Sequence, residues 1–135
     1  MRLQLALNVP DLEAAIDFYG RLFGVEVAKR KPGYANFEVD QPALKLVLFE
    51  SDGTDRLNHL GVEVFEGEAV AAAAEQIQAA GLTLERDEEE QCCFARQNKA
   101  ITYAPDGTMW EWYRKLDDLA GFADDEAPTT ATSCC

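Results

Sequence analysis

The sequence predicts an α+β fold in which two βαβββ modules form one shared cup. The predicted elements follow the order strand, helix and three strands in the first half of the chain, and this order begins again in the second half. The first strands of the two halves align, with Gln4–Leu7 matching His59–Val62. A chain of 135 residues has the size of a single domain. We therefore expect one domain over residues 1–115, with modules at about 1–54 and 55–115.

The first module begins with an alternating segment, Arg2–Asn8, that predicts a strand with leucines on one face and Gln4 on the other. A helix should begin after an N-cap at Asp11 and end at Gly24, because apolar residues between them follow helical spacing. Breaks at proline and glycine then separate three predicted strands, Val25–Arg30, Tyr34–Val39 and Leu44–Phe49.

The second module repeats this order from Leu57, with a strand to Val64 and a helix over about Gly67–Ala80. The acidic run Asp87–Glu90 is interpreted as a solvated turn. Four further strands are predicted, at Leu82–Arg86, Phe94–Gln97, Ala100–Ala104 and Met109–Arg114.

Charge and cysteine usage exclude several classes of partner. With 25 acidic and 12 basic residues the net charge is −13, which disfavours binding to nucleic acids or anionic membrane surfaces. The first residues are too polar for a secretory signal, and all four cysteines occur as adjacent pairs, so we expect a cytoplasmic protein with free thiols. Residues 116–135 are acidic and should form a flexible tail.

Three residues are candidates for a metal site. His59 is the only histidine, and Glu111 lies in an otherwise apolar and aromatic strand, where an unpaired carboxylate would be costly. Together with Gln4 they form a mixed nitrogen and oxygen set that suits a divalent first-row metal and leaves positions open. The alternatives stay open at this point: a lone histidine is often a packed residue, and Glu111 could face solvent.

Two adjacent thiols, Cys92 and Cys93, are the second candidate site. Soft sulfur ligands select thiophilic centres, and monosubstituted trivalent arsenic has two replaceable positions that such a pair can occupy; cadmium and zinc also accept thiolates. The competing interpretation is a pair of small buried residues. The other pair, Cys134 and Cys135, is expected to be a terminal pair without a fixed site.

Three short motifs stand out along the chain: Ala15–Tyr19, Phe23–Val25, and Ala104–Gly107 leading to Glu111. They resemble the vicinal oxygen chelate superfamily, which includes glyoxalases, extradiol dioxygenases and bleomycin-resistance proteins, and the resemblance covers about residues 2–115. More specific segments are Gln4–Leu7, Pro32–Phe37, Leu44–Leu48, His59–Val64 and Cys92-Cys93. These segments resemble the organoarsenical C–As lyases, and cadmium-induced proteins share much of this pattern.

This resemblance implies the glyoxalase-like fold with a metal-binding cup and a nonheme Fe(II) enzyme that uses molecular oxygen. It implies cleavage of the carbon–arsenic bond of methylarsenite or aromatic trivalent arsenicals, giving arsenite in arsenic detoxification. By the same resemblance, Gln4, His59 and Glu111 would bind the metal, and Cys92 and Cys93 would bind the arsenic of the substrate.

Other functions remain open from the sequence. A noncatalytic thiol protein that binds cadmium or arsenite would need the cysteines but not Gln4. A glyoxalase-like lyase or isomerase would need a fourth ligand, yet the first-module position that matches Glu111 is apolar, at Leu46 or Leu48. An antibiotic-binding protein would need no metal. The chain is expected to act on a small molecule as a monomer or homodimer, with the cup formed within one chain or between two.

Overall fold

The computed structural model describes residues 1–92 and 95–118, and these form one eight-stranded sheet with two helices. The strands are β1 (Arg2–Val9), β2 (Lys29–Lys31), β3 (Tyr34–Val39), β4 (Leu44–Glu50), β5 (Leu57–Glu63), β6 (Glu85–Cys92), β7 (Ala95–Tyr103) and β8 (Met109–Asp118). The helices are α1 (Leu12–Phe23) and α2 (Gly67–Ala79).

The strand order β2-β3-β4-β1-β5-β8-β7-β6 repeats one arrangement in each half of the sheet. β1 runs parallel to β4, β5 runs parallel to β8, and the remaining pairs are antiparallel. The two modules join through the antiparallel pair β1–β5, so that they share a continuous sheet within one chain. This arrangement confirms the predicted pair of modules.

Both helices pack on the same face of the sheet. Asp11 caps α1 by accepting a hydrogen bond from the amide of Ala14, and Gly24 ends the helix with a φ of 65°, a conformation that glycine adopts without strain. The leucines of β1 and β4 pack beneath α1, while Val64, Ala100 and neighbouring apolar residues pack beneath α2. We call the opposite side, which carries Gln4, the helix-free face.

The structure corrects several predicted strand boundaries. In place of Val25–Arg30, only Lys29–Lys31 forms β2, because Val25 and Val27 pack against the α1 core instead of pairing. The acidic run Asp87–Glu90 is not a turn but part of β6, which begins at Glu85 and not at Leu82. β6 lies at the edge of the described sheet, where charged residues are tolerated because no strand of the described residues pairs with its outer side.

The end of the second module also differs from the prediction. In place of the predicted strands Phe94–Gln97 and Ala100–Ala104, a single strand, β7, runs over Ala95–Tyr103, and the polar residues between the two predicted strands stay in the ladder; Phe94 lies outside the described residues. β8 continues to Asp118, so residues 116–118 belong to the sheet and not to the predicted tail. Residues 119–135, with Cys134 and Cys135, lie outside the described part of the chain.

Within the described residues, neither helix has the length and hydropathy needed to cross a membrane.

Candidate metal centre

Gln4, His59 and Glu111 meet on the helix-free face, at the centre of the sheet. Their strands β1, β5 and β8 are neighbours, and Gln4 and Glu111 both pair in register with Gly61. Gln4 Nε2 lies 3.0 Å from His59 Nε2 and 2.9 Å from Glu111 Oε1, and His59 Nε2 lies 3.2 Å from the same carboxylate oxygen. All three residues are at most 2% exposed. The structure thus brings together the three residues that the sequence analysis selected.

Gly61 makes the space in which these side chains meet. A Cβ atom at this position would lie 2.9 Å from the carbonyl oxygen of Glu111 and 3.0 Å from its Cγ atom. It would also lie 3.4 Å from Gln4 Nε2. In the sequence Gly61 stands out only as part of the repeat, but a glycine inside a strand is typical of close approach by another group.

A chain of side-chain amides sets the orientation of the His59 ring. Asn8 Nδ2 donates to the carbonyl oxygen of Asp55 at 3.1 Å, and Asn58 Nδ2 donates to Asn8 Oδ1 at 3.0 Å. Asn58 therefore presents its Oδ1 atom to His59, and at 2.7 Å this oxygen accepts the hydrogen bond from Nδ1. In the neutral ring the lone pair then resides on Nε2 and faces Gln4 and Glu111.

Lys99 is a site residue that the sequence analysis missed. Its Nζ atom donates to Glu111 Oε2 at 3.0 Å, and the residue is 1% exposed. Burial by itself would raise the pKa of Glu111, but the Lys99 ammonium acts in the opposite direction, and this pKa lies below its ordinary value of 4.5. Glu111 is therefore an anion at neutral pH. The available signal was a lysine in a predicted sheet region close to the strand that carries Glu111.

The donor set of this centre fits a divalent cation. In the neutral tautomer, His59 Nε2 and Glu111 Oε1 are both acceptors at a separation of 3.2 Å, and the amide of Gln4 donates to both. Rotation of the Gln4 amide would exchange its nitrogen for its oxygen, and the three side chains would then present one nitrogen and two oxygen atoms, a set suited to first-row metals. No cluster of three His, Cys, Asp or Glu side chains occurs among the described residues, so a metal here requires the amide ligand.

A second group of charges lies next to this centre on the helix-free face. Arg2 forms ion pairs with Glu63 and, at 3.2 Å, with Glu38. Lys45 Nζ lies 3.8 Å from Glu38 and 3.9 Å from Glu63, and burial lowers the pKa of Lys45 despite these carboxylates. Both buried lysines of this face, Lys45 and Lys99, thus lie beside carboxylates; Lys99 donates to Glu111, whereas Lys45 lies beside Glu38 and Glu63 and pairs in register with Gln4.

The thiol pair is only partly within the described structure. The backbone of Cys92 ends β6 and pairs with Ala95 of β7, while Cys93 lies outside the described residues. Glu111 pairs with Ile101, six residues further along β7 than Ala95. At about 3.3 Å per residue, the register separates the backbone of Cys92 from the level of Glu111 by roughly 20 Å along the strand.

The chain is similar in sequence to a known protein family and to two named proteins. Residues 3–112 match the family described as the Glyoxalase/Bleomycin resistance protein/Dioxygenase superfamily. The chain is 50% identical to the Cadmium-induced protein CadI of Mycobacterium tuberculosis, over 99% of this chain and 92% of that protein. It is 46% identical to the trivalent organoarsenical cleaving enzyme of Thermomonospora curvata, over 99% of this chain and 87% of that protein.

Solved structures share the fold at lower identity. The 2,3-dioxygenase LapB of Pseudomonas sp. KL28 matches with a TM-score of 0.65 and 22% identity, over 97% of this chain and 47% of that chain. The Mn(II)-bound glyoxalase of Novosphingobium aromaticivorans matches with a TM-score of 0.64 and 18% identity, over 94% of this chain and 41% of that chain.

Proposed function

Because the chain belongs to the glyoxalase/bleomycin resistance protein/dioxygenase superfamily, we propose that it cleaves the carbon–arsenic bond of trivalent organoarsenicals and releases arsenite. The proposed cofactor is Fe(II), bound by Gln4, His59 and Glu111, with molecular oxygen as co-substrate. The observation that carries the proposal is the meeting of these three buried side chains in a chain whose relatives include organoarsenical cleaving enzymes.

Each residue of the centre has a distinct part in this proposal. His59 offers the Nε2 lone pair, which its bond to Asn58 keeps directed into the site. Glu111 offers the single negative charge, and Gln4 offers a neutral oxygen that leaves the bound cation electron-poor. Fe(II), when bound, supplies electrons to oxygen and open positions for small molecules. The burial of all three side chains keeps bulk water away from the reacting groups.

Cys92 and Cys93 are proposed to bind the arsenic of the substrate. Two thiols replace two ligands of monosubstituted trivalent arsenic and leave its carbon substituent attached, so binding prepares the bond that breaks. The strand register places the backbone of Cys92 far from the level of Glu111. The reaction therefore requires the sulfur-bound arsenic to lie closer to Glu111 than this backbone does. Binding arsenic in this way requires free thiols, which a reducing compartment maintains, and we propose a cytoplasmic enzyme that acts on a small molecule as a monomer or homodimer.

A noncatalytic thiol protein is the second candidate, since relatives named for induction by cadmium are 50% identical to the chain. Such a protein would bind cadmium or arsenite through Cys92 and Cys93 without using His59. The two candidates therefore differ in whether product appears and in whether the metal centre matters.

The deciding experiment is a product assay with methylarsenite. Protein purified without oxygen and loaded with Fe(II) is incubated under air or argon, and inorganic arsenite is separated and quantified. We expect multiple turnovers in air, none under argon, and loss of product in His59→Ala, Cys92→Ser and Cys93→Ser. The double variant Cys134→Ser/Cys135→Ser is the matched thiol control and should retain activity. Stoichiometric binding without product in air would refute the proposal and favour the binding protein.

A further inference from the structure

We propose that Lys99 is a positioning residue that restricts Glu111 to binding a metal through one carboxylate oxygen. This inference rests on the metal centre of the proposed function, and it concerns a residue outside the three candidate ligands. Lys99 donates to Glu111 Oε2 at 3.0 Å, whereas Oε1 faces Gln4 and His59 at 2.9 and 3.2 Å. The two oxygens of one carboxylate are therefore directed to different partners.

The sheet register explains why Lys99 reaches only one of the two Glu111 carboxylate oxygens. Lys99 pairs with Tyr113 in the β7–β8 ladder, and Glu111 pairs with Ile101, so Lys99 and Glu111 are diagonal neighbours on the helix-free face. From this position Nζ reaches Oε2 on the side away from His59 and Gln4. A bidentate Glu111 would bring the metal next to Oε2, which already accepts from Lys99, and the like charge of the ammonium and the cation disfavours this arrangement.

Stability by itself is a poor reason for a lysine at this position. Lys99 and Glu111 are fully buried in their side chains, and moving both charges out of water costs free energy that a buried ion pair often fails to recover. Apolar residues in place of both members would avoid this cost, whereas an apolar residue in place of Lys99 alone would leave the Glu111 carboxylate buried and unpaired. The buried pair is better explained by the orientation that it imposes on Glu111.

This arrangement has two consequences for a bound metal. A one-oxygen Glu111 leaves an additional coordination position for substrate or oxygen, which a bidentate carboxylate would fill. The ammonium group also shares the carboxylate with the metal, so like charge weakens metal binding. Lys99 thus lowers affinity for the cation while keeping its coordination sphere open.

The test uses Co(II) as a spectroscopic probe in the full-length protein. Visible absorption and metal affinity are measured for the wild type, Lys99→Met, Lys99→Arg and Lys45→Met. Methionine is similar in length to lysine but carries no charge or N–H donor, and arginine restores both. Lys45→Met is the matched control, because Lys45 is a buried lysine of the same face that lies beside Glu38 and Glu63.

We expect Lys99→Met to bind Co(II) about tenfold more tightly, because the like charge of the ammonium next to the cation is removed. Its visible absorption should weaken as a second carboxylate oxygen raises the coordination number. Lys99→Arg and Lys45→Met should retain the wild-type spectrum. A folded Lys99→Met protein with wild-type spectrum and affinity would overturn the inference and leave the proposed function standing.

A crystal structure of the metal-loaded wild type tests the inference without a variant. We expect Glu111 to bind through one oxygen while the other stays within hydrogen-bond distance of Lys99 Nζ. Bidentate binding by Glu111 would overturn the role of Lys99. A wild-type protein that binds no metal at Gln4, His59 and Glu111 would instead refute the proposed function from which the inference starts.

Discussion

A single methyl group at Gly61 should disturb the candidate metal centre without removing any candidate ligand. In Gly61→Ala the new Cβ atom would lie 2.9 Å from the Glu111 carbonyl oxygen and 3.0 Å from its Cγ atom. The carbonyl belongs to the backbone of β8, which pairs with β5 at this residue, so it cannot move without straining the ladder. Glu111 and Gln4 must therefore shift relative to each other.

The expected loss of stability follows from this contact. Overpacking of this kind costs about 1–3 kcal/mol. The lower chain entropy of alanine returns roughly 0.5–1 kcal/mol. A net loss of about 1–2 kcal/mol lowers the melting temperature of a domain of this size on the order of 5 °C. Displacing Glu111 relative to Gln4 should also weaken Co(II) binding by about tenfold or more.

Gly67→Ala is the matched control for this prediction. Its Cβ atom would lie 3.0 Å from an atom of the Arg114 guanidinium group, the far end of a flexible side chain that can swing away. Alanine is also favoured over glycine at the start of α2, so stability should change by no more than about 0.5 kcal/mol. Melting curves and Co(II) titrations provide the measurements. Wild-type stability and affinity in Gly61→Ala would refute the reasoning.

Three further predictions concern the surroundings of the centre. Asn58→Ala removes the acceptor for His59 Nδ1 and should weaken Co(II) binding about 10- to 100-fold. Asn58→Asp keeps an oxygen at this position and should bind Co(II) more tightly than Asn58→Ala. Equal affinities of the two variants would contradict the role of this hydrogen bond. Tyr113→Phe removes a buried hydroxyl that has no hydrogen-bond partner among the described residues. The free energy of unfolding in urea should therefore not fall and should rise by up to about 1 kcal/mol. A clear fall would reveal a hydrogen-bond partner of this hydroxyl. Because the pKa of Glu111 is lowered in the folded state, its carboxylate stabilises the metal-free fold above pH 4.5, and this stabilisation is lost as pH falls through the folded pKa. In Glu111→Gln the urea midpoint of unfolding should therefore fall less steeply as the pH is lowered. An unchanged fall would contradict the ion pair with Lys99.

Local patterns were sufficient for the first module and for the choice of candidate ligands. The alternation in β1 correctly separated Gln4 from the leucines, and Asp11 and Gly24 correctly marked the ends of α1. These features depend on residues that are close in the chain. The trio Gln4, His59 and Glu111 also lies together as expected, although binding of a metal by it stays a prediction.

Local patterns failed where a polar residue is satisfied by a distant partner. Lys99 interrupted the apolar pattern and divided β7 into two predicted strands, yet its charge is buried against Glu111 and the strand is continuous. The acidic residues of β6 resembled a turn because their edge position was not visible in the sequence. In both cases the environment that permits the residue comes from strand pairing.

The amino-acid order alone determined which side chains each strand presents on its two faces, because a strand alternates its side chains with a period of two. It also determined that one histidine, one carboxylate and one amide were available for a centre. Only the tertiary structure decided the distances among them, the Asn8–Asn58–His59 chain and the contact between Lys99 and Glu111. The physical reason is that these contacts depend on hydrogen-bond register between strands, and register is a property of paired segments and not of either segment alone.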